Sequence, residues 1–249
     1  MRPAKSLPAA LLTAFIALAL SLGSAADTTA TPGHGTTAIT IALDPGHGGS
    51  DTGAQGPTGA LEKEICLNLA RELAARLEAA AYRTLLTRSD DYSVPIRQRT
   101  AMANQANADL LISIHCGAAF QHATTGMAVY CWQPDAQTPV EKAYAFPEGP
   151  VPWERVQLPF LAKSRSLATQ IRQALQHPAG SEAVEIKVAP LRMLQGAAMP
   201  AILIEIGHIT NPATETDLRS PQRRQQLVEA IHKGIDAFLE ARRGSGDRQ

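Results

Sequence analysis

Two histidines and two glutamates stand at places in this chain where chemistry can be done. His47 lies in Asp44-Pro45-Gly46-His47-Gly48-Gly49, a glycine-rich turn directly after the apolar run Ile39–Leu43. Glu62 opens a helical pattern, His115 follows a second apolar run, and Glu205 interrupts a third. In α/β proteins ligands bind outside the carboxyl ends of the strands, so side chains leaving several strand ends can meet over one sheet edge. Two imidazoles and one carboxylate (His47, Glu62, His115) are a donor set that catalytic zinc uses, with a fourth position left for water. Glu205 sits in a strand that otherwise reads as buried on both faces, where an unpaired carboxylate carries a large desolvation cost. It is therefore expected near the open strand end, facing polar partners or an ion, where it can take a proton from water.

Each residue taken singly has a plainer reading. A lone histidine after a strand fits an exposed or structural side chain. A glutamate in a first helical turn fits a cap favoured by the helix dipole, and Glu205 fits a carboxylate satisfied by Arg99, Lys187 or a turn amide. The joint placement of all four is what points to a metal.

The elements that must position them follow from periodicity. Ile39–Leu43 reads as a strand, and Leu61, Ile65, Leu69, Leu73 and Leu77 recur at helical spacing to about Ala81. Tyr82–Thr87 is a second strand, Pro95–Asn107 a helix with proline in its first turn, and Leu110–Ile114 a strand ending at His115. Gly126–Tyr130 is expected as the neighbouring strand. Leu161–Gln176 reads as a helix, Val184–Val188 as a short strand and Ala201–Ile206 as a nearly uninterrupted one. After Asn211-Pro212 and a polar turn comes a final helix, with Leu227, Ile231, Ile235, Phe238 and Leu239 on its apolar face. This alternation predicts an α/β fold, a single domain with a mostly parallel central sheet flanked by helices.

Residues 133–159 break the pattern. Six prolines with Tyr144, Phe146 and Trp153 among them oppose a regular helix and predict a long loop. A connection of that length in a compact domain is either passive decoration or a lid or groove wall, and its aromatics suit contact with carbohydrate or peptide.

The chain has 249 residues. Arg2 and Lys5 precede an apolar stretch, Leu11–Leu22, followed by Gly23, Ser24, Ala25 and Ala26, so residues 1–26 read as a cleaved secretory signal. That stretch is short for a retained span, no cysteine at the small-residue site offers a lipid anchor, and no stable membrane anchor is expected. Residues 27–38 are polar and threonine-rich and read as a disordered linker. The catalytic domain is then expected over 39–241, with 242–249 as a flexible tail. Export to the periplasm, or alternatively to the extracellular medium, follows from the leader.

With 23 basic and 23 acidic residues, the chain has no general electrostatic drive toward nucleic acid or anionic lipid. The arginine pairs Arg97/Arg99 and Arg223/Arg224 read as solvated helix faces. Of three cysteines, Cys66 reads as a small buried hydrophobe, while Cys116 and Cys131, near the ends of successive strands, leave a disulfide open.

From Ile39 to about Ala241 the chain resembles the zinc-dependent N-acetylmuramoyl-L-alanine amidases. The resemblance is carried by Asp44-Pro45-Gly46-His47-Gly48-Gly49, Gly59-Ala60-Leu61-Glu62-Lys63-Glu64, Arg99 with Ala103-Asn104, Ala108-Asp109 through His115, and Ile204-Glu205-Ile206-Gly207 followed by Asn211-Pro212. It implies Zn2+ held by His47, Glu62 and His115, with Glu205 as catalytic carboxylate. It further implies hydrolysis of the amide between the N-acetylmuramic acid lactyl group and L-alanine in peptidoglycan, with the glycan and its stem peptide as partners.

Two residues depart from the family pattern. Gly117 stands where Asn or Asp is common, and it can supply no side-chain hydrogen bond to the site. His208 stands at a position usually apolar or aromatic, where it can touch substrate, aid proton transfer or form pocket wall. Cys116 is not expected as a ligand, because adjacent strand residues point to opposite faces. Against the amidase stand an exported zinc peptidase acting on stem peptides and a noncatalytic wall-binding protein.

Overall fold

The computed structural model describes residues 38–134, 149, 151–176 and 183–244. The expected leader, all but one residue of the linker, most of the proline-rich insert and the last residues of the tail lie outside these.

One six-stranded sheet runs in the order β2-β1-β3-β6-β4-β5. Its strands are β1 (Thr40–Pro45), β2 (Arg83–Leu86), β3 (Leu110–Gly117), β4 (Met127–Trp132), β5 (Val184–Ala189) and β6 (Ala201–His208). β1 pairs in parallel with β2 and β3, and β3 with β6; β4 is antiparallel to β6 and parallel to β5. The sheet is thus mixed and mostly parallel, as the sequence predicts. The helices are α1 (Glu62–Ala79), α2 (Ile96–Gln105), α3 (Leu161–Gln176), the four-residue α4 (Arg192–Gln195), α5 (Pro212–Arg219) and α6 (Pro221–Gly244). Among the described residues no helix is long and apolar enough to cross a membrane.

The strand period of two sorts the central strands into two faces. Ile112, Ile114 and Cys116 of β3 and Ile202, Ile204 and Ile206 of β6 enter the larger core with Leu69 and Leu73 of α1, Ile171 of α3 and Ile235 of α6. Leu111 of β3 and Ala201 and Leu203 of β6 enter the smaller core with Ala103 of α2 and Leu194 of α4. His115 and Glu205 continue this second set. Leu69, Leu73 and Leu77 are fully buried, each stabilising the fold by about 1.5–3 kcal/mol, so the helix that starts at Glu62 is seated firmly on the sheet.

Several expectations are corrected. β4 is not the neighbour of β3: β6 lies between them, with Val129 registered on Ile204. That separation also decides the cysteines. Two strand spacings of about 4.8 Å each put Cys116 and Cys131 beyond the Cα reach of a disulfide, and all three cysteines are free and buried. Where a polar turn was expected after Asn211 there is helix α5: the Asn211 side chain accepts from the N–H groups of Ala213 and Thr214, with Pro212 in the first turn. Helix α6 continues to Gly244, through the first residues expected as tail. Arg99 and Arg223 are buried rather than solvated, at 6% exposure each.

The described part of the insert holds two 3-10 turns, Trp153–Arg155 and Leu158–Phe160. Leu158 is buried, and the Trp153 ring lies so close to Gly196 that no Cβ fits there. This end of the insert therefore buttresses α4 instead of hanging free.

Candidate metal centre

His47 leaves β1 in a turn held from behind by two buried guanidinium groups. Arg88 donates to the carbonyl oxygens of Pro45 (3.0 Å) and Gly46 (2.6 Å), and to that of Lys63 in α1 (2.8 Å). Arg99 donates to the oxygens of Pro45 (2.6 Å) and His47 (2.7 Å) and to Asp44 Oδ1 (2.9 Å). Asp44 also accepts from Thr87 and Ser113, so its carboxylate is fully used in building the turn. This clamp holds His47 at φ +60, a left-handed conformation costing of order 1–3 kcal/mol outside glycine.

Glycine is required where the rings pack. A Cβ on Gly46 would lie 2.6 Å from His115 Nδ1, and one on Gly53 would lie 2.6 Å from His47 Cδ2 and 2.7 Å from Glu62 Oε2. Gly48 and Gly49 approach the residue 88–93 segment rather than the rings.

Glu62 is the hub. Its Oε1 lies 3.0 Å from His115 Nδ1 and accepts the Cys116 N–H at 2.9 Å. Its Oε2 lies 3.1 Å from His47 Nε2 and accepts the Ala54 N–H at 2.9 Å. The two imidazoles meet edge to face, with centroids 5.0 Å apart. Burial alone would push the Glu62 carboxyl up, but hydrogen bonds from His115, His47 and the Ala54 N–H outweigh it and hold the group well below the usual carboxylate range. The Glu62 carboxylate in turn raises His47 against the opposing effect of burial. On its far side, His47 Nδ1 is 2.9 Å from Asp51 Oδ1, which orients the ring with Nε2 inward.

One donor atom from each of His47, Glu62 and His115 lies within 4.8 Å of the others. Two imidazole nitrogens facing an ionised, buried carboxylate form the N/N/O set that zinc takes, so these residues fit that ion. Cys116 contributes a backbone N–H and turns its thiol to the opposite face, toward Cys66. The cluster opens on a cavity of about 270 Å³, whose walls include Glu205, Tyr130, Leu191, Met193 and Leu203.

Glu205 lies directly across from His115 in the register of β3 and β6. Of the plainer partners expected for it, Arg99 goes to Asp44 and Lys187 pairs with Glu185 at 3.0 Å. The Tyr130 phenol shares the cavity wall with Glu205, and burial and the charge of Glu205 raise the Tyr130 pKa. Sequence reasoning missed Tyr130, Asp51, Arg88 and Gly53. Asp51 had a signal in its spacing of four from His47. Tyr130 had one in its place near the end of an expected strand; Arg88 had none.

A mixed α/β sheet with two histidines, a glutamate and a further carboxylate around one cavity is an arrangement suited to metal-assisted hydrolysis. The chain belongs to the N-acetylmuramoyl-L-alanine amidase family Amidase_3, which it matches over residues 41–237. It is 31% identical over 237 residues to the N-acetylmuramoyl-L-alanine amidase AmiC of Neisseria meningitidis serogroup B, covering 86% of this chain and 56% of that protein. It is 30% identical over 199 residues to LytC of Bacillus subtilis, covering 80% and 35%. The chain thus spans about half or less of the length of these relatives. Among solved structures it superposes on the amidase AmiC2 of Nostoc punctiforme with a TM-score of 0.67 at 28% identity, covering 81% of this chain and 97% of that one. An N-acetylmuramoyl-L-alanine amidase from Clostridium difficile 630 gives a TM-score of 0.67 at 27% identity, covering 82% and 97%.

Proposed function

We propose that this protein is an exported enzyme that uses zinc to hydrolyse the amide joining the lactyl group of N-acetylmuramic acid to L-alanine in peptidoglycan. The observation that carries this reading is the donor cluster of His47, Glu62 and His115 opening on the same cavity as Glu205. Family membership supports the choice of bond.

Bound zinc supplies Lewis-acid polarisation of the scissile carbonyl and acidifies the attacking water. Glu205 takes the proton of that water and returns one to the departing nitrogen. Tyr130 lines the same cavity wall, where its phenol can donate to the Glu205 carboxylate and orient the proton acceptor. Leu191, Met193 and Leu203 form an apolar wall of the cavity, against which the methyl groups of the lactyl ether and of L-alanine can lie. No serine or cysteine nucleophile is needed, and the buried Cys116 thiol, pushed up by its contact with Cys66 and by burial, is unsuited to that role. The glycan and stem peptide are the partners of the groove, and the balanced charge of the chain gives no drive toward nucleic acid.

Mass analysis of products from intact muropeptides, with zinc removed and restored, tests the reading. Stem peptide released with a free L-alanine amine, only when zinc is present, is the expected result. Cleavage between two amino acids makes the protein a stem-peptide peptidase, and retention on peptidoglycan without cleavage makes it a wall-binding protein.

A further inference from the structure

In a regular strand Glu205 and His208, three residues apart, would point to opposite faces. In β6 they do not. The register pairs His115 with Glu205 but Gly117 with His208, so two steps along β3 oppose three along β6. The extra residue is a β-bulge, made at Gly207 with φ +142, and bulges beside active sites re-aim a side chain. Here His208 is turned onto the Glu205 side of the sheet, opposite Gly117.

Gly117 leaves the room that His208 takes. A Cβ built at 117 would lie 2.9 Å from both Cε1 and Nδ1 of the His208 ring, and 3.3 Å from Glu205 Oε2. Ring and carboxylate thus border the same gap. The His208 Nδ1 is buried and has no hydrogen-bond partner among the described residues, a costly arrangement for a polar atom that only filled space.

We infer that His208 is a positioning residue for Glu205, its imidazole addressing the carboxylate across the gap that Gly117 leaves. This rests on the role given to Glu205 above. Tyr130 of β4 shares the cavity wall with the carboxylate, and His208 borders it from the end of β6, so that the acceptor has a polar neighbour on two sides. Glycine at 117 and histidine at 208 form one device: a side chain at 117 displaces the ring, and an apolar ring at 208 removes one of the two polar neighbours of the carboxylate.

The test uses the full zinc-loaded protein and a soluble muropeptide. His208→Phe keeps ring volume and removes both nitrogens; kcat is expected to fall about tenfold, with KM changed less than about twofold and zinc content unaltered. His208→Gln, which keeps a hydrogen-bonding group, is expected to recover part of the loss. In a Glu205→Gln background His208→Phe should change the residual rate less than about twofold, because the two groups act as a unit. Full kcat in His208→Phe, a rise in KM alone, loss of zinc, or an undiminished effect in the Glu205→Gln background each overturns the inference. Should His208→Phe fail to fold, Gly117→Ala carries the test: unaltered kcat there overturns it. Cleavage of a different amide by the wild type overturns the choice of bond and leaves this test intact, whereas no cleavage by the zinc-loaded wild type overturns both.

Discussion

Glu215 Oε1 accepts the backbone N–H of Ala60 at 2.9 Å, joining residues 155 positions apart. Its other oxygen accepts the N–H of Thr58 at 2.8 Å, and a Cβ on Gly56 would strike the same side chain. A carboxylate in the first turn of α5 therefore fixes the loop that runs into Glu62, a ligand on α1. The anchor of the metal centre lies in the last third of the chain.

Replacing Glu215 with Gln leaves one accepting oxygen and sets an NH2 donor against a backbone N–H; it is expected to cost about 1–3 kcal/mol, the range for leaving a buried polar group without its partner, and to weaken zinc binding while sparing Glu205. Burial pushes the Glu215 carboxyl up, but the backbone N–H groups of Ala60 and Thr58 outweigh this and hold it below its ordinary 4.5. A folded pKa below the unfolded one gives stability that is present above about 4.5 and lost as pH falls through the folded value. Urea midpoints should thus drop more steeply below pH about 4.5 in the wild type than in Glu215→Gln. Equal slopes would show that the carboxylate contributes nothing to this acid sensitivity.

Asp51 is the outer partner of His47, and carboxylates in that position fix the tautomer and raise ligand basicity. Asp51→Ala should weaken zinc affinity by about 10–100-fold, with Asp51→Asn milder because it keeps an oxygen at the ring. Competition against a calibrated chelator measures this. Affinity unchanged in Asp51→Ala would mean that the Arg99 and Arg88 clamp orients His47 unaided.

The parts legible in the sequence are those written in short-range pattern. The runs before His47 and His115 and the spacing of Leu61 to Leu77 gave strands and a helix whose ends differ from the observed ones by a few residues. What escaped was set by pairing across the sheet. Nothing in Gly126–Tyr130 says that β4 runs antiparallel on the far side of β6, yet that pairing aims Tyr130 at Glu205 and parts Cys131 from Cys116. Buried arginines escaped for a related reason: Arg88 and Arg99 look like surface residues until the carbonyl groups of the His47 turn are seen to need donors. Leu218 is the one buried large apolar residue of helix α5, so no stripe in the sequence announces that helix.

The thiols offer a third prediction. Cys116 and Cys66 share a contact within the larger core, and burial pushes the Cys131 thiol up to about 11. Buried, protonated thiols react poorly with alkylating agents. All three should therefore alkylate only after denaturation, and mass spectrometry of the protein prepared without reductant should find no Cys116–Cys131 bond. Rapid alkylation of Cys116 in the folded protein would mean that the sheet opens beside His115.

The division of labour within the site gives the fourth. Glu205 faces His115 across the sheet but is not among the three clustered donors. Glu205→Gln keeps the side-chain shape and the Tyr130 contact while removing the basic oxygen. Turnover should fall by about 10²–10⁴, the usual contribution of a positioned general base, with zinc stoichiometry unchanged. His47→Ala and His115→Ala should lower both metal content and turnover, since each removes a nitrogen from the set around Glu62. Metal analysis beside muropeptide kinetics separates the two classes. Zinc lost from Glu205→Gln would make Glu205 a ligand; turnover retained there would place the proton acceptor on another group, and the position of Glu205 across from His115 would then concern folding alone.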